Sequence, residues 1–219
     1  MKNLVKKLLA AGFAAGAALS MAGCSGIQAH AYSVAEKTEQ AVSMPEEYSI
    51  TYEVQKPEED FMTLVTKARD EQGSIYFSDG EIEKLFLNEK GNYRLYERDG
   101  DGEFTESPGK KIYTESFIDT ATAAFTQCAE QSELQFAPGF EEGEKTTVAG
   151  RACHVFTNKM GVGGMNVTYV LQIDEESGIC LGYNEVSETG IFTSKPSKTV
   201  FSCTEFATEN VKLPVEAAE

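Results

Sequence analysis

Tryptophan is absent from the 219 residues, and histidine occurs only twice. His30 falls in a stretch of small residues near the N-terminus, which leaves His154 as the single imidazole in the body of the chain. Neither His-x-x-x-His nor Cys-x-x-Cys occurs, so zinc sites built on those spacings are excluded. Gly-x-Ser-x-Gly is missing as well, which removes the nucleophile elbow of serine hydrolases. Basic residues are scarce, 19 Lys+Arg against 35 Asp+Glu. The resulting charge of −16 excludes a nucleic-acid partner, because phosphate binding needs a cationic footprint. Six prolines, with 41% hydrophobic and 25% charged residues, exclude collagenous and mostly disordered chains. The length suits one domain with a single core.

What is present begins with an export signal. Lys2, Lys6 and Lys7 form a positive start, and the apolar stretch from Leu8 to Ala22 follows. That stretch is shorter than the about 20 residues a bilayer-spanning helix needs; it fits the h-region of a secretory signal. Met21-Ala22-Gly23-Cys24 then resembles the lipobox of bacterial lipoproteins, with Met21 in place of the usual Leu. The resemblance implies that Cys24 is joined to diacylglycerol and becomes the first mature residue. It also implies a protein exported and lipid-anchored to the outer face of the cell membrane of a Gram-positive bacterium. Two acyl chains suffice for stable anchoring. Residues 1–23 are thus the expected signal peptide and 24–31 a short tether. Removing the signal takes away three lysines and no acid, leaving 16 basic against 35 acidic residues, a balance of −19. Such a polyanion is repelled from an anionic bilayer, so the charge serves solubility and spacing.

Beyond the tether, Ala31 to Ser43 reads as a helix ended by Met44-Pro45. The period then changes to two: Tyr48, Ile50, Tyr52 and Val54 alternate with Ser49, Thr51, Glu53 and Gln55, a strand with one buried face. Further strands are expected over Phe61–Arg69, Ser74–Phe77, Glu83–Asn88, Asn92–Arg98 and near Glu103–Thr105, with Asp79-Gly80 marking a hairpin. A helix from about Thr114 to Gln131 carries one apolar stripe: Phe117, Ala121, Ala124, Phe125 and Cys128. Strands resume over Ala152–Asn158, Asn166–Asp174, Ile179–Ser187 and Lys198–Ala207. The expected class is α+β: one curved antiparallel sheet of about 8–10 strands, a half-barrel packed on one or two helices, spanning residues 32–214, with 215–219 as a tail. A long twisted sheet curls. Curling around a single helix stripe leaves a concave apolar face suited to a lipid or other apolar ligand. Tyr48, Tyr52, Phe117, Ala121, Phe125, Tyr169, Tyr183 and Phe201 are the expected lining, tyrosine suiting a cavity mouth through its polar tip.

The order of helix, strands, helix and strands is similar to the LolA/LolB-like lipoprotein-carrier superfamily. The residues that carry the likeness are the initial helix running into Tyr48-Ser49-Ile50-Thr51-Tyr52, and Val148 to Phe156 opening the second half. The hairpin from Val170 to Leu181 and the terminal Thr204-Glu205-Phe206 before Val211-Lys212-Leu213-Pro214 complete it. The resemblance implies a half-barrel over helices with an apolar cavity. The carriers themselves are soluble, whereas this chain bears an anchoring signal.

No catalytic set, metal site or cofactor is expected. His154 shares a strand face with Ala152 and Phe156 and reads as structural. Asp99, Asp101 and Glu103 imitate the opening of a calcium loop, but Phe104 stands where its glycine belongs and Lys110 where its closing Glu belongs. Gly161, Gly163 and Gly164 lack the helix that a phosphate loop needs and read as a hairpin connection. Cys128, Cys153, Cys180 and Cys203 remain after Cys24; export permits oxidation, and Cys180–Cys203 with Cys128–Cys153 is one pairing of three. Four reduced, buried thiols are the other reading. Two functions follow: a tethered, non-enzymatic module holding a lipid or apolar ligand, or a filled-core interaction module that meets an envelope protein through its surface or an edge strand.

Overall fold

The computed structural model describes residues 44–55, 62–98, 100, 102–109, 111–162, 165–189 and 198–214, all within the unit Val42–Glu219. The signal segment, Cys24, the tether, the expected first helix and the tail 215–219 lie outside the described residues.

Strand β1 (Tyr48–Gln55) realises the alternation of its sequence: Tyr48, Ile50 and Tyr52 are buried, while Ser49 and Thr51 are partly exposed and Glu53 is fully so. It pairs antiparallel with β2 (Met62–Arg69), which pairs with β3 (Ile75–Ser78). Next come β4 (Glu83–Glu89) and β5 (Asn92–Arg98), joined by Lys90-Gly91. Both of those turn residues have positive φ, 57° and 87°, the geometry whose twist matches that of the strands it connects. Two-residue strands β6 (Thr105–Glu106) and β7 (Ile112–Tyr113) both pair with β5.

Two short helices follow, α1 (Glu115–Ala121) and α2 (Ala123–Ala129), and then a 3₁₀ segment over Glu130–Phe136. The second half comprises β8 (Phe140–Glu142), β9 (Thr146–Val148), β10 (Arg151–Val162), β11 (Met165–Asp174), β12 (Cys180–Thr189) and β13 (Lys198–Ala207). The strands form one open antiparallel sheet in the order β6-β5-β4-β3-β2-β1-β13-β12-β11-β10-β8, with β9 also on β10. First and last strands therefore meet in the middle, with Tyr52 opposite Cys203.

The sheet has 13 strands where 8–10 are expected. The excess over ten is β7, β8 and β9, of two or three residues each, too short to carry a periodic signal, while β6 answers to the strand expected near Glu103–Thr105. The expected single helix is also corrected. It breaks at Thr122 (φ −113°, ψ 26°), a fully buried residue whose Oγ1 accepts a hydrogen bond from Lys67 Nζ at 3.1 Å. The break rotates the two pieces, so the stripe is not continuous: Ala124 and Phe117 are exposed, and Ile118 is buried instead.

Two hydrophobic clusters result. The larger joins Tyr48, Ile50, Tyr52 and Val65 to Phe125, Cys128 and Ala129 of α2 and to β10–β13. The smaller holds Ile75, Phe86, Tyr93 and Leu95 around Ile118 of α1.

Candidate functional site

The residues expected to line a ligand cavity are mostly brought together, in one run of ring contacts. Tyr52 is completely buried, with its ring 5.5 Å from both Phe125 and Phe201, and its hydroxyl donates to Cys180 O at 2.9 Å. Tyr48 stacks on Phe125 at 6.4 Å. Tyr183 bridges outward from Phe201 (6.0 Å) to Tyr169 (6.3 Å, stacked), and both tyrosines are half-buried. Phe117 and Ala121 stand apart from this group. Ala121 packs against the smaller cluster, and Phe117, 41% exposed, lies 4.4 Å from Tyr113.

Neither expected disulfide, Cys180–Cys203 or Cys128–Cys153, is formed: all four cysteines are free and buried. Three of the thiols turn instead to carbonyls two residues along their own strands. Cys153 Sγ donates to Arg151 O, Cys180 to Gly182 O and Cys203 to Glu205 O. Burial pushes the thiols up, Cys128 and Cys203 to about 12 and Cys153 to about 11. These are inert core groups, since the thiolate is the reactive and metal-binding form. Among the described residues no group of three or more His, Cys, Asp or Glu is placed to hold a metal ion.

The segments Val148–Phe156, Val170–Leu181 and Thr204–Phe206 converge on an ion pair. Arg151 grips Asp174 with two bonds (2.7 and 2.9 Å), and its guanidinium lies 4.4 Å from the Phe206 ring centre. Ser177 donates its N–H and its hydroxyl to the same carboxylate, at 2.8 and 2.6 Å. Burial raises the Asp174 pKa, but the Arg151 and Ser177 bonds outweigh it and hold the group below its ordinary value. His154 lies on the outer strand face with Nδ1 2.5 Å from Glu142 Oε1 and Nε2 3.7 Å from Glu175 Oε1. The two carboxylates meet opposite ring nitrogens, so they do not converge on one ligand position.

Two depressions open on the described surface. One, of about 300 Å³, lies along Lys159, Met160, Gly161, Asn166 and Thr168 near the far end of β10. The other, of about 510 Å³, lies between the ends of β1–β3 and α1. Tyr48, Ile75 and Lys67 are buried at its base, and Glu46, Glu71, Glu115 and Asp119 are exposed around it. Arg69 lines the same cleft and pairs with Glu115 at 3.0 Å. Lys67 is only 7% exposed, and its ammonium sits 5.6 Å from the Phe125 ring centre. Burial lowers its pKa. Sequence reasoning passed over Lys67, yet a signal was there: Thr63, Val65 and Lys67 share a strand face by parity, which puts a cation on the buried side.

No protein-family model matches the chain. No curated protein matches it either. A solved structure described as an outer membrane lipoprotein-sorting protein domain from Vibrio parahaemolyticus is similar over 83% of this chain and 93% of that one, with 7% identity and a TM-score of 0.23. No residue role follows from a likeness at that level.

Proposed function

We propose that the chain is a non-enzymatic module, exported and tethered to the outer face of the cell membrane through diacylglycerol on Cys24. It meets an envelope protein through its surface. The observation that carries this reading is the packing of residues expected to line a cavity against one another, Tyr48 and Tyr52 on Phe125 and Tyr52 on Phe201. An exposed strand edge supports it. Strand β8 pairs with β10 only over Phe156–Asn158, while β10 runs on to Val162. Among the described residues no strand covers that side of residues 159–162, and an uncovered edge is a template for an added strand. A photo-crosslinker at Met160, tested in cells, is expected to capture one defined envelope protein. The same group at Glu53, on a strand paired on both sides, is expected to capture none. Equal labelling from both positions would refute the edge.

A second reading, an apolar ligand between sheet and helix, is favoured by one observation, the half-buried Tyr169–Tyr183 stack beyond Phe201. Saturable binding of a fluorescent fatty acid to the full chain would establish it in place of the packed-interior reading.

A further inference from the structure

The cleft between β1–β3 and α1 is polarised by depth. At its base is a cation that Asp119, Glu115 and Glu130 act on through space, with no carboxylate bonded to it among the described residues. An ammonium has three donors, and among the described residues Lys67 Nζ has one hydrogen-bond acceptor, the neutral Thr122 Oγ1. Holding a charge out of water is costly unless it is paired, and the Phe125 ring supplies only a weak counterweight. Around the mouth stand the exposed carboxylates of Glu46, Glu71, Glu115 and Asp119, of which Glu115 is engaged by Arg69.

Each simple ligand class meets an obstacle here. A lone anion must pass these carboxylates, with Asp70 a fifth on the cleft wall, to reach Lys67. A lone cation is attracted to the mouth and repelled at the base. A hydrocarbon leaves the ammonium dry, with the Thr122 hydroxyl as its one acceptor. A molecule carrying both charges, acid group first, satisfies both levels at once.

We infer that this cleft binds a small zwitterion of amino-acid size, with its acid group on Lys67 against Tyr48 and its ammonium between Asp119 and Glu115. A volume of about 510 Å³ falls in the range of small-molecule sites. The site is independent of the strand edge and of the membrane anchor, so the two assignments stand or fall separately.

The test is equilibrium dialysis of the full chain in detergent with radiolabelled glycine, β-alanine and 4-aminobutyrate, a series in which the two charges move apart. At least one is expected to bind saturably, one per chain, with acetate and methylammonium failing to compete at equal concentration. Loss of a hydrogen bond between two charged groups weakens binding roughly tenfold or more, and Lys67→Met is expected to show that loss. Glu115→Gln with Asp119→Asn alters only exposed side chains and is expected to weaken binding as well. That double variant decides the matter if circular dichroism finds Lys67→Met unfolded. Failure of all three compounds to bind would overturn the site. So would competition by acetate or methylammonium alone, or unchanged affinity in the folded variants.

Discussion

Asp174 ties β11 to β10 and to the turn that follows it. It is 2% exposed, grips Arg151 from β10 and accepts both Ser177 donors of its own turn. Arg151 also pairs with exposed Glu176 at 2.6 Å, so losing Asp174 strips the arginine of one of two partners and leaves the buried Ser177 donors unmatched, a cost of about 1–3 kcal/mol. Asp174→Ala is therefore expected to lower the urea midpoint at neutral pH sharply, with the slope unchanged. The pH dependence has a definite sign. The folded pKa is depressed, so the carboxylate's contribution is complete above its unfolded value, near 3.8, and is lost as pH falls through the lower folded value. Below that folded value the wild type and the Ala variant should converge. The thiols make a second residue-scale prediction. Burial holds Cys128, Cys153, Cys180 and Cys203 protonated, so a disulfide-exchange reagent at pH 8 is expected to titrate none of them in the native chain and all of them in urea. Rapid native reaction of any one would contradict its buried placement.

Among the elements, α1 is where pattern and packing part. A helical wheel puts Phe117 on the apolar side, whereas the break at Thr122 buries Ile118 against Phe86 and Leu95 and leaves Phe117 at the surface. Ile118→Ala is expected to cost about 2–5 kcal/mol, as cavity-forming core changes do, while Phe117→Ala, at an exposed site, should cost much less. Chemical denaturation of the pair discriminates the two faces. The break itself was not legible, because its buried threonine is met by a lysine from β2, 55 residues away in sequence. By contrast β1, with strict alternation over eight residues, reads directly, and the limits of β5 and β13 fall where the pattern puts them. Strands β7, β8 and β9 exist only through their partners on β5 and β10, so nothing local announces them. The burial of Tyr48, Tyr52, Phe125 and Phe201 was legible residue by residue. That the rings close on each other was not, since filling is a property of the assembled core. Lys67 shows the converse: its buried face follows from parity, but the acids around it come from α1, the β2–β3 turn and the residues before β1.

At the scale of the molecule, the anchor and the charge act together. The proposed tether places a chain of balance −19 beside an anionic surface, which favours an upright stance with the folded unit held off the bilayer. Cys24→Ser is expected to abolish labelling by radioactive palmitate and to move the protein from the membrane to the soluble fraction. Unchanged fractionation would remove the anchor.

The meeting of β1 with β13 bears on how the chain is made. Thr204 bonds to Thr51 across 153 positions, and such distant pairings come late and slow the search for the native state. Until residues near the carboxyl end emerge, β1 has one neighbour and a bare flank, and the β2-side meander cannot be sealed to the rest. The polypeptide must therefore stay open throughout its synthesis, and a product cut short before Lys198 would leave two sticky borders where the finished molecule has a seam.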